Sequence, residues 1–122
     1  MKEKRKKFDI YDRAFTFAVN CAKLIKGLPK EIILIEYMRQ LVRSSGSIGA
    51  NLEEADGALT KRDFVYKVAI SRREAKESRH WLKLIKVISE NKSFEKEIDA
   101  LIKESTEILL ILSKIINNTK NN

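Results

Sequence analysis

Five cations, Arg72, Lys76, Arg79, Lys83 and Lys86, follow one another at intervals of four, three, four and three residues. Side chains three and four apart share one face of an α-helix. The spacing therefore predicts a single basic stripe, opposite an apolar stripe through Ala75 and Leu82. Such a stripe does electrostatic chemistry: it holds phosphate oxygens, with arginine able to grip two at once. Glu74 and Glu77 in the same segment avoid the stripe and lean toward the apolar side. A solvated helix surface is the plain alternative, but solubility alone does not require the two signs to separate. Few aromatic residues interrupt the cations, so base stacking is not indicated. Contacts would run mainly to a nucleic-acid backbone, RNA or DNA, with little reading of sequence.

A second group lies upstream. Ser44-Ser45-Gly46-Ser47-Ile48-Gly49-Ala50-Asn51 is built almost entirely of small or short polar residues, a composition unfavourable to an isolated helix. Close backbone packing, within the chain or across a subunit boundary, is the compensation expected. Ser47 and Asn51 stand one turn apart and could join Glu54 and Glu77 in a polar helix or subunit contact. A phosphate-cradling loop is excluded because its lysine and spacing are missing.

Catalytic constellations are scarce. Glu77 and His80 form one Glu-x-x-His, but a di-metal bundle needs two and the chain has a single histidine. Cys21 falls within an apolar helical pattern and reads as a small buried hydrophobe. Trp81 reads as a core or interface anchor. With no nucleophile–base pair, metal set or cofactor loop, a non-enzymatic protein without cofactors is expected.

These residues sit in 122 residues of net charge +8, enough for one domain that buries its own core. Residues 1–7 carry five basic and one acidic side chain, and residues 61–86 nine basic and three acidic. The net positive charge is thus concentrated in an N-terminal arm (1–8) and one helix, which points to an anionic partner. One proline and four glycines in the whole chain favour a few long helices. The patterning predicts helices from an Asp9 cap to about Leu28, from Lys30 to Gly57, from a Thr60 cap to about Glu90, and from a Ser93 cap to about Asn117. Residues 118–122 would be a frayed tail. Short turns between long helices force antiparallel neighbours. The expected fold is all-α, an antiparallel up-down-up-down four-helix bundle over residues 9–117. Leu109 to Leu112 are apolar nearly all round the last helix, and a surface of that kind calls for self-association. No apolar run is long enough for a membrane span and the basic N-terminus has no signal-peptide core, so the protein is expected in the cytoplasm.

Ser47-Ile48-Gly49-Ala50-Asn51-Leu52-Glu53-Glu54-Ala55, then Asp63-Phe64, then Glu74 through Leu82 resemble, in that order, motifs of the 23S rRNA intervening-sequence protein family. This bacterial four-helix-bundle family is related to the accessory variability protein of diversity-generating retroelements. The resemblance spans roughly Phe8 to Ile116. It implies a four-helix bundle assembled as a homopentameric ring, and for the retroelement branch a basic surface that binds nucleic acid and a protein partner, its reverse transcriptase. It supplies no catalytic residue. The expected function is a non-enzymatic oligomer binding nucleic acid through the basic stripe. The alternative is a structural adaptor that docks a protein such as a polymerase or ribosome-associated factor.

Overall fold

The structure, a computed structural model, describes residues 9–121. The basic arm read from the sequence lies outside these residues. Four helices account for nearly all of them: α1 (Ile10–Gly27), α2 (Ile32–Asp56), α3 (Lys61–Ile88) and α4 (Glu95–Lys120).

Each start has a local cause. Asp9 caps α1 by accepting from the Asp12 amide, and Thr60 caps α3 by accepting from the Asp63 amide. Helix α2 begins two residues later than the Pro29-led start expected from sequence. Leu28 is still extended, and the Glu31 carboxylate takes the Leu34 amide at 2.7 Å, supplying the cap itself. Before α4, Asn91 rather than Ser93 does the capping: its Oδ1 accepts from the Ser93 amide at 3.0 Å and opens a 3₁₀ turn, Lys92–Phe94. At its far end α4 continues past Asn117 to Lys120, where Thr119 Oγ1 bonds back to the Ile115 carbonyl at 2.7 Å.

Helix α1 packs on α2 and α4, and α3 packs on the same two, so the helices form a closed square. Contacts between neighbours run in opposite directions along the two helices. Between α2 and α3 the pairs are Arg43 with Glu77, Ser44 with Ser78, Ile48 with Ser71 and Glu54 with Lys67. Between α3 and α4 they are Arg72 with Ser113, Arg79 with Thr106 and Lys86 with Asp99. On the outer edge of the α1–α2 pair, Tyr11 reaches Asp56 while Ala14 lies against Gly49. All three pairs are antiparallel, and the bundle is up-down-up-down.

The core joins Phe17, Leu24, Leu41, Leu52, Leu82 and Ile108 with other apolar side chains. Its middle is different: Ser44, Ser45, Ser71, Ser78 and Ser105 are all buried there. Each hydroxyl is partnered, as a buried polar group must be. Ser44 and Ser78 share a 2.8 Å hydrogen bond across α2 and α3, and Ser71 Oγ donates to the Ile48 carbonyl at 2.9 Å. Such bonds need helices in close approach, which the small residues of α2 permit. At the opposite end Gly27 makes room for the ring of Phe94, which would lie 3.0 Å from an added Cβ.

In α4, Leu112 is fully buried, while Leu109 and Ile111 are half-buried against neighbours. Leu110 is the member of that run left largely exposed, at 60%. Substitution Leu82→Ala should lower unfolding free energy by about 2–5 kcal/mol, because a fully buried side chain leaves a cavity. Leu59→Ala, at a side chain 97% exposed, should stay within about 0.5 kcal/mol. Urea titrations followed by circular dichroism test both.

Candidate functional site

Helix α3 has two polar flanks, one against α4 and one against α2. The basic stripe borders α4. It is not opposite the core, as the spacing had indicated, but at the edge of it, because the seven-residue repeat that packs α3 on α4 passes through the stripe. Every seventh member reaches across the seam. Arg72 Nη1 donates to Ser113 Oγ at 3.4 Å, and Arg79 Nη1 donates to Thr106 Oγ1 at 3.1 Å. The Thr106 hydroxyl in turn donates to the Ile102 carbonyl, so its lone pairs stay turned toward the guanidinium. Lys86 Nζ lies 2.7 Å from Asp99 Oδ1, a hydrogen bond that raises the lysine pKa above its ordinary value. Lys76 and Lys83 project outward and are exposed.

The stripe is therefore uneven. Between Arg72 and Arg79 lies an open concavity of about 560 Å³, with Leu109 and Ala69 among its lining and Arg73 and Lys76 beside the two arginines. Among the described residues four cations line it and no carboxylate does. Further along, Lys83 is exposed and Lys86 is paired with Asp99. Arg73, which the helical spacing puts beside the stripe, lines the hollow with it. Ser113, Thr106 and Asp99 were missed. Their signal was available: they recur every seven residues in α4, as Arg72, Arg79 and Lys86 do in α3.

The other flank holds Glu54 and Glu77, but not as one pocket with Ser47 and Asn51. Ser47 Oγ donates to the Arg43 carbonyl at 2.9 Å, and Asn51 Nδ2 to the Ser47 carbonyl at 2.9 Å, both within α2. Glu54 takes Lys67 Nζ at 2.6 Å. Glu77 takes Arg43 Nη2 at 2.6 Å, which makes Arg43 the hub of this seam. Glu74 is buried at 7% exposure, and its Oε1 is 3.7 Å from Arg43 Nη1, too far for a hydrogen bond. Trp81, with Tyr37 tilted against it at a ring separation of 5.9 Å, likewise buries its Nε1 without a hydrogen-bond partner.

Elsewhere, burial pushes the Cys21 thiol up to about 12, with Ser45 opposing. Among the described residues no cluster of three or more His, Cys, Asp or Glu is placed to hold a metal, and no helix is long and apolar enough to cross a membrane.

A family model described as 23S rRNA-intervening sequence protein matches residues 6–114. The chain belongs to that family. A crystal structure at 1.70 Å of a protein of unknown function, from the S23 ribosomal protein family of Bacteroides thetaiotaomicron, is similar throughout. It shares 32% identity over 88% of this chain and 98% of its own, with a TM-score of 0.78. No curated protein matches. Family membership thus agrees with the motif order around Ser47 and Glu74, and it assigns no activity to either flank of α3.

Burial raises the Glu74 carboxyl above its ordinary value of 4.5, Glu77 pushes the same way, and Arg43 and Arg73 oppose. The folded state therefore binds the proton more tightly than the unfolded chain does. Stability should fall as pH rises from about 4.5 through the raised folded value. Glu74→Gln should remove that slope and raise the melting temperature at neutral pH. Thermal melts of both proteins across this range read the effect directly, and parallel curves would exclude Glu74 as its source.

Proposed function

We propose that this chain is a non-enzymatic, cytoplasmic homo-oligomer that binds nucleic acid through the basic flank of α3. Phosphates would be held by Arg72, Lys76 and Arg79, with Arg73 beside them and Lys83 extending the surface; Lys86, the fifth cation of the stripe, is already paired with Asp99 and adds little. The observation carrying this reading is the α3–α4 hollow, where four cations meet without a carboxylate. Hydroxyl contacts from α4 limit the freedom of both bounding arginines, which lowers the entropy lost on gripping an anion. Leu109 and Ala69 provide no ring for stacking, so affinity would come from the backbone and be indifferent to sequence. A pentameric assembly, which rests on the family resemblance, would repeat the surface and add avidity.

A protein-docking role is favoured by a different observation. Buried Glu74 Oε1 and Trp81 Nε1 lack hydrogen-bond partners on the α2 flank, and Ile33 and Ile88 are exposed toward one end of it. A partner seated there, a second copy or another protein, would cover the exposed Ile33 and Ile88. The two roles use opposite flanks of α3 and are compatible.

Charge reversal at Arg72 and Arg79 should weaken binding to RNA and DNA of every sequence alike. It should also reduce the slope of log affinity against log salt by about one for each phosphate no longer held. Fluorescence anisotropy over a salt series measures both. Unchanged affinity in the double variant would remove this flank from the interface. Native mass at micromolar concentration tests the assembly, for which a monomer is the adverse result.

A further inference from the structure

We infer that the hollow between Arg72 and Arg79 receives the phosphorylated end of a strand, not its interior; this rests on the nucleic-acid reading above. Three side-chain contacts cross the α3–α4 seam: Arg72 to Ser113, Arg79 to Thr106 and Lys86 to Asp99. They act as crossbars. A backbone running lengthwise along the seam would have to climb over each one. Between the first two crossbars the seam widens into a cell of about 560 Å³. Seven residues of helix separate them, roughly 10 Å at ~1.5 Å per residue. The volume falls within the ~300–1,000 Å³ typical of small-ligand sites.

The charges are distributed like a cell, not like a track. Four cations, all from α3, line this one space. Beyond it the Lys86–Asp99 pair closes the next crossbar with no net charge. An interior phosphodiester brings one negative charge per nucleotide, spread along the strand. A terminal phosphate or polyphosphate concentrates two or more at one point, with oxygens free on several sides. Two arginines about 10 Å apart along α3, with Arg73 and Lys76 between them in sequence, match a terminal polyphosphate lying along the cell. Ser113 and Thr106 hold the guanidiniums across the seam. Leu109 and Ala69 in the lining offer nothing to a base, which leaves the rest of the strand to lie outside over Lys83 and neighbouring lysines. The shared chemistry is a terminal polyphosphate, borne by a strand end or by a free nucleotide.

The test uses one short RNA, labelled at its 3′ end and carrying a 5′-triphosphate, 5′-monophosphate or 5′-hydroxyl, with anisotropy read at fixed salt. The expected order is triphosphate, monophosphate, hydroxyl, with about a tenfold gain from last to first, the worth of one further charge-assisted contact. Arg79→Gln should abolish that ratio, while Lys83→Gln should weaken all three RNAs and leave the ratio intact. Unlabelled GTP distinguishes the two sources. Competition at concentrations matching the RNA assigns the cell to free nucleotides, and competition only in large excess assigns it to strand ends. Equal affinity for the three RNAs overturns the end-binding inference and leaves nucleic-acid binding standing. Absence of binding to any of them removes both.

Discussion

A serine hydroxyl on one helix reaches a backbone carbonyl on the next only where the two backbones nearly touch. Ser71 does so at Ile48, and Ser44 meets Ser78 further along the same seam. These bonds depend on the Ser-Gly-Ala run of α2, whose poor intrinsic helix propensity is offset by the packing it allows. They also fix the rotation of α3. Once Ser71 and Ser78 point at α2, Glu74, Glu77 and Trp81 must border that helix, and the cations seven apart must border α4. The division of α3 into an acidic-aromatic flank and a basic flank is a consequence of where its serines are anchored. An unpartnered buried hydroxyl costs about as much as several methylenes of apolar burial, so rotation away from this register is strongly disfavoured.

The two flanks handle charge differently. On the α2 side, two carboxylates share Arg43, and the more buried one resists ionisation. On the α4 side the guanidiniums are held by hydroxyls, which orient without neutralising. Hydroxyl anchors preserve a charge for an external ligand; carboxylate anchors use it up, as Asp99 does to Lys86. The basic flank thus contains both kinds within a few helical turns, and its net field is strongest where the anchors are serine and threonine.

Much of this was legible in the sequence. Asp9 and Thr60 announced their helices, and the apolar spacing in all four helices pointed to the bundle and its core. The cations of α3 stand out by periodicity alone. Periodicity also placed the inward face of α3, with Ser71 and Ser78 on it beside Val68, Ala75, Leu82 and Ile85. What it did not supply was how closely α4 covers the edge of the basic stripe. The stripe was accordingly expected too far from the seam. Ser47 and Asn51 share polarity with Glu54 and Glu77, but short side chains on a helix bond first to the carbonyl one turn back. Arg43 belongs to the motif Arg43-Ser44-Ser45, but a lone arginine carries no spacing that names its partners, Glu77 and Glu74. The α2 start, expected at Lys30, falls at Ile32 because Glu31 supplies its own cap.

Cys21 has a consequence of another kind. Its thiol is fully enclosed beside Ser45, in the small-residue middle of the bundle, and burial keeps it from forming the reactive thiolate. It is the only cysteine in the chain. Reagents that alkylate thiols can reach it only when α1 swings off α2 or the whole bundle opens. The rate at which the native protein takes up one such label is therefore a clock for opening. It runs without an added probe, at a position where the helices are drawn close together.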